Sequence, residues 1–160
     1  LYHDKHHIIS HYERSIVFVE SLANITEEQW RMPIEPGKWT VAEVIGHLTP
    51  WDKFVVKQRL PFLFTEESLP KGPDVEEMNA NAARNSRAQS KEETITNFIN
   101  QRHQLIDALY QIVDKQWLQP FTIGVSELTL YGYFASLVDH DVHHFSQIQN
   151  IGAIKWTSSI

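Results

Sequence analysis

Apolar residues recur every three to four positions along most of this 160-residue chain, and stretches bearing proline and glycine cut that pattern into separate blocks. Such patterning calls for helices packed on helices, each burying one stripe. The first helix is expected over about His3 to Leu22, with Ile8, Ile9, Tyr12, Ile16, Val19 and Leu22 on its apolar side. Thr26 to Gln29 suits one further short turn before Pro33, Pro36 and Gly37 break the chain. The second helix has the best-marked origin. Thr40 and Glu43 form a capping box, each side chain answering a free backbone N–H, and Trp39 and Val44 fit the hydrophobic staple that fixes the entry angle. His47 therefore sits about two turns inside a helix whose start is set. Pro50 meets the carbonyl of Gly46, which predicts a kink or local opening beside His47 before the helix resumes and ends before Pro61 or near Phe64.

The stretch from about Thr65 to Gln89 is polar and carries Pro70, Gly72 and Pro73. Its part from Glu76 to Arg87 has only a thin apolar face and is expected to be partly helical. A connection this long reads as a crossover, since adjacent antiparallel helices need only a few linking residues. Ser90 and Glu93 form a second capping box, opening a third helix that reaches about Val113 along Ile95, Phe98, Ile99, Leu105, Leu109 and Ile112. A connector over Lys115 to Leu128 holds Pro120, Gly124 and a short extended piece at 121–123. The fourth helix spans about Thr129 to Asn150, closed by Gly152. The expectation is all-α: a four-helix bundle in a single domain over residues 1–160, with a long crossover between helices 2 and 3.

Charge and composition remove several functions. The net charge is −6 and no Lys/Arg cluster is present, which opposes binding to a nucleic-acid backbone. There is no cysteine, so disulfides and thiolate metal sites are excluded. No apolar run approaches the ~20 residues of a membrane helix. No signal-peptide pattern is visible, and a cytoplasmic protein acting on a small molecule is the expectation.

The chemistry that remains centres on imidazole. His140 and His144 lie four apart, one above the other on a helix, and can face one ion. At ~100° per residue, Leu130, Phe134, Leu137, Phe145 and Ile148 share the core side of the fourth helix, with His144 just off its centre, His140 at its margin and His143 outside. His47 sits at the edge of the Val44, Leu48, Trp51 and Val55 face. Three imidazoles from two helices would leave an open coordination position, as substrate-binding metal sites do. From spacing alone such a pair more often marks hydrogen-bonded structural histidines, and His47 joins it only if the bundle brings the helices together.

The run from Pro36 to Leu48, containing Trp39, Thr40, Glu43 and His47, resembles the second-helix signature of the DinB/YfiT-like superfamily. The run from His140 to Ile148 resembles its fourth-helix signature, and with the polar crossover the likeness covers nearly the whole chain. The resemblance implies an up-down-down-up bundle, often a homodimer, that holds a divalent metal ion, zinc or nickel, through His47, His140 and His144. It also implies transfer of a low-molecular-weight thiol, such as bacillithiol, mycothiol or glutathione, to an electrophile as the leading activity. A metal-dependent hydrolase of the same fold and a non-catalytic bundle binding metal or a small ligand are the alternatives. The chain departs from its relatives at Phe145 and Ser146, where they often carry a basic and a small residue, and at Pro50.

Around the histidines, Asp141 falls near the middle of the fourth helix's apolar face, where it could orient an imidazole or pair with Tyr12, His11 or an arginine as a structural acid. Gln147, one turn beyond His144, could bond a bound water or substrate, or serve packing. His7 and His11 read as a solvated flank and His103 as surface. Trp51, Phe54 and Trp117 could wall an apolar pocket. Glu43 and Asp52 show no partner in the sequence.

Overall fold

Every long helix starts on a side-chain oxygen that accepts from its first turn. In the computed structural model, which describes residues 4–151 and 155–156, Asp4 caps α1 (Lys5–Ser21) and Thr40 caps α3 (Val41–Phe54). Asp74 caps α4 (Val75–Ala88), Ser90 caps α5 (Lys91–Gln111) and Thr129 caps α7 (Leu130–Gln149). The short α2 (Glu27–Trp30) has its own capping box from Thr26 and Gln29. Another short helix, α6 (Asp114–Leu118), precedes a hairpin of β1 (Phe121–Ile123) and β2 (Ser126–Leu128), turned at Gly124 with φ +61°. His3 and Gly152, the expected outer limits of the first and last helices, lie outside the described residues.

The bundle consists of α1, α3, α5 and α7, and side-chain pairs give its directions. Gly46 lies against Thr94 and Asp52 bonds Arg102, so α3 and α5 run parallel. Ser15 meets Arg102 and Glu13 meets Tyr110, which sets α1 antiparallel to α5. His11 meets Asp141 and Phe18 meets Phe145, which sets α1 parallel to α7. The order is up-down-down-up, and two parallel neighbours in sequence require the long crossover.

Two expectations need correction. The stretch from Glu76 to Arg87 is not partly but wholly helical, inside α4, which packs on α3. Its buried residues Ala82, Ala83 and Ser86 are small, so the contact rests on close approach rather than on large apolar side chains. Gly46 permits that approach, since a Cβ there would come within 1.7 Å of Ser86 Oγ. Pro50 does not open the helix beside His47 either. α3 runs unbroken through it to Phe54, and the irregularity comes one turn later as a π-helical turn over Val55–Arg59. One missing N–H leaves the flanking helical bonds in place, and the helix relaxes where its C-terminal end is less confined.

The core has two apolar halves. One gathers Ile8, Tyr12, Leu105, Leu109, Trp117 and Phe134; the other gathers Val19, Leu22, Trp30, Val44, Phe98 and Phe145. Arg102, 1% exposed, lies between them with its guanidinium over the rings of Tyr12 and Phe98. Among the described residues no helix is long and apolar enough to cross a membrane.

Candidate metal centre

The entry to α3 is fixed before His47 is reached. Thr40 Oγ1 accepts from Glu43 N–H, Glu43 Oε1 accepts from Thr40 N–H, and Glu43 Oε2 takes Arg87 of α4. Trp39 packs on the apolar half beneath, and its ring lies 4.8 Å from the imidazole of His47. His47 itself is 2% exposed, whereas on α7 His144 is half-buried and His140 is exposed.

The structure brings these three rings together. One nitrogen from each lies within 4.8 Å of the other two, and Nε2 of His140 stands 3.2 Å from Nε2 of His144. Tetrahedral ligands around zinc sit roughly 3.3 Å apart, from Zn–N bonds near 2.0–2.1 Å, which the His140–His144 spacing already matches. Among the described residues, this is the only group of three or more metal-ligating side chains.

Hydrogen bonds choose the tautomers. His47 Nδ1 donates to the Val44 carbonyl, 2.5 Å away, and His144 Nδ1 donates to Gln147 Oε1 at 3.0 Å. Both rings thereby keep Nε2 as the unprotonated, lone-pair nitrogen, the arrangement in which a ligand's other N–H is held from behind. Gln147 thus contacts a candidate ligand directly. Burial and then the neighbouring His144 push His47 down to about 3. His140 and His144 are also lowered, chiefly by burial. Near neutral pH the three rings are uncharged and offer lone pairs to a cation. Donor type, proximity and protonation all suit a divalent cation.

Asp141 is engaged elsewhere. Its Oδ2 accepts from Arg102 Nη1 at 2.5 Å and from His11 Nε2 at 2.9 Å, so the carboxylate faces the bundle interior. Burial would raise its pKa, but the Arg102 charge and the His11 bond outweigh that and hold it well below the carboxylate range. Arg102 also grips Asp52 through Nε at 2.8 Å and Nη2 at 3.1 Å, and reaches Ser15 Oγ at 3.1 Å. Asp52 is raised by burial in spite of that contact. His11 is 2% exposed and belongs to this network, not to a solvated flank. His7, His103 and His143 are exposed.

The three aromatic residues do not wall a common pocket. Trp51 Nε1 donates to Asn79 Oδ1 of α4, and Trp117 is fully buried in the other half of the bundle. Phe54 lines a groove of about 370 Å³ beside Pro50, Lys53, Lys57 and Met78.

Residues 13–148 match the family described as the DinB superfamily. No curated protein matches the chain. Among solved structures the chain is similar to YfiT from Bacillus subtilis, described as "a probable metal-dependent hydrolase with an unusual four-helix bundle topology". Identity is 20%, with 92% of this chain and 85% of that one covered at a TM-score of 0.74. The likeness is one of fold.

Proposed function

The chain belongs to the DinB superfamily, and from that footing we propose that His47, His140 and His144 hold a divalent cation, zinc or nickel, at a catalytic centre for a small-molecule substrate. The observation that carries this reading is the convergence of three neutral imidazoles from two helices, graded from a buried ring through a half-buried one to an exposed one. When bound, such a cation supplies Lewis acidity, lowering the pKa of a thiol or water that reaches it. The protein contributes the rest. Val44 and Gln147 hold two rings in the ligating tautomer, Trp39 covers the buried ring, and the exposed His140 marks the solvent side of the cluster.

Thiol transfer to an electrophile is the leading activity. A thiol ionises near pH 8.5 and needs only a modest push to become a nucleophile at neutral pH. Hydrolysis by a cation-activated water would use the same three imidazoles. The hydrolytic reading has its own support in the description of YfiT.

Purified protein, metal-loaded and metal-stripped, should be assayed with low-molecular-weight thiols plus an electrophile and, in parallel, with activated esters and amides. Thiol consumption that requires metal supports the transferase reading. Metal-dependent ester or amide cleavage alone replaces it with the hydrolase. Metal binding without turnover of any of them leaves a binding protein.

A further inference from the structure

The helices that carry the three imidazoles are not each other's main packing partners. α3 packs chiefly on α4 and α5, whereas α7 packs on α1 and α6. What spans them is a side chain from α5, a helix that contributes no candidate ligand. Arg102 holds Asp52 of α3 with Nε and Nη2, and Asp141 of α7 with Nη1. Asp52 lies five residues beyond His47, and Asp141 lies between His140 and His144. We propose that Arg102, through Asp52 and Asp141, is a positioning clamp that sets the rotation and spacing of α3 against α7, and so the convergence of the three imidazoles.

Planar guanidinium forks fix direction as well as distance, which an apolar contact does not. On α7, Asp141 is one position from His140, so anchoring it inward turns the flanking His140 and His144 towards the margin where His47 arrives. His11 gives Asp141 a second donor at 2.9 Å, and Ser15 gives Arg102 a further partner, so the clamp cannot swivel without losing bonds on α1 as well. The two ring faces of Tyr12 and Phe98 confine the guanidinium plane. Buried ionic clusters are seldom the most stabilising filling for a core, and apolar replacement of the whole set often leaves a protein equally stable. Positional specificity is what such a replacement would lose.

This inference rests on the three-histidine metal reading, and its test separates the two. Metal-stripped wild type is titrated with Co(II), following affinity by calorimetry and ligand geometry by the visible ligand-field spectrum. No Co(II) binding by wild type ends the metal reading itself. Given binding, the combined variant Asp52→Leu, Arg102→Met and Asp141→Leu is compared at equal helicity and thermal midpoint. The clamp predicts affinity weaker by roughly ten- to a hundred-fold, as when groups behind metal ligands are removed, with an altered spectrum. A folded variant with wild-type affinity and spectrum overturns it. Should that variant not fold, the near-isosteric Asp52→Asn decides on the same two readouts. It is expected to weaken Co(II) binding and shift the spectrum, and unchanged values overturn the clamp.

Discussion

His47 is the residue on which burial acts most strongly at the site. Its pKa lies at about 3, against an ordinary 6.5, because a charged ring would have to form inside the bundle beside His144. The unfolded chain takes up that proton first. The stabilising contribution is therefore complete above about pH 6.5 and is lost as pH falls towards about 3. Urea denaturation of the metal-free protein across that window should show stability falling with acidification, and His47→Gln should flatten this part of the slope. Gly46, its neighbour, is equally constrained. Gly46→Ala brings a Cβ within 1.7 Å of Ser86 Oγ and 3.0 Å of its Cβ. The overpacking should outweigh the better helix propensity of alanine and cost about 1–2 kcal/mol, with part of the loss restored by Ser86→Ala in the same denaturation assay. Some residues were legible in the sequence and others were not. His140 and His144 stood out through spacing, and His143 was set aside by periodicity. Arg102 was overlooked, although it lies four after Phe98 and three before Leu105, both buried. A charge on an apolar stripe demands a partner, and Asp52 and Asp141 lay on such stripes too. His11 shares that signal through Ile8, three residues before it.

Helix boundaries follow local chemistry, and here the chain was most readable. The Thr40/Glu43 box begins α3 where the sequence puts it, Ser90 caps α5 through Glu93 N–H without the reciprocal Glu93 bond, Thr26 and Gln29 make the short turn, and the extended piece at 121–123 is β1. The same chemistry yields a prediction for α3. Thr40→Ala removes the acceptor for Glu43 N–H and should lower stability by roughly 1 kcal/mol. Because the frayed turn lies under Trp39 and just ahead of His47, the variant should also bind Zn(II) more weakly, as measured by competition with a chromophoric chelator. α4 was harder to foresee. A helix that buries only Ala82, Ala83 and Ser86 presents a thin apolar face of small residues, and its contact with α3 comes from close approach at Gly46. Pro50 misled for a related reason. The proline ring removes one bond, but the neighbouring helical bonds keep α3 continuous through Phe54, so no local opening forms there.

Across the whole molecule, a charged layer separates two apolar halves, and its sign balance governs stability. Arg102→Ala would leave Asp52 and Asp141 facing each other without the shared cation. Breaking a buried ionic set by removing one partner costs about 3–5 kcal/mol, so thermal melts should show a large drop in midpoint for Arg102→Ala. The fold class and the up-down-down-up order were legible because the resemblance and the crossover both pointed to them. Which helices meet through which side chains was not, since that depends on rotations that no spacing rule supplies. The central claim concerns the meeting of His47 with His140 and His144 around one cation. Elemental analysis of protein produced without a histidine tag, set beside His47→Ala made the same way, tests it most directly. Near-stoichiometric zinc or nickel in the wild type and its loss from the variant are predicted. Equal metal content in both, or a wild type that stays empty after incubation with either ion, would contradict it.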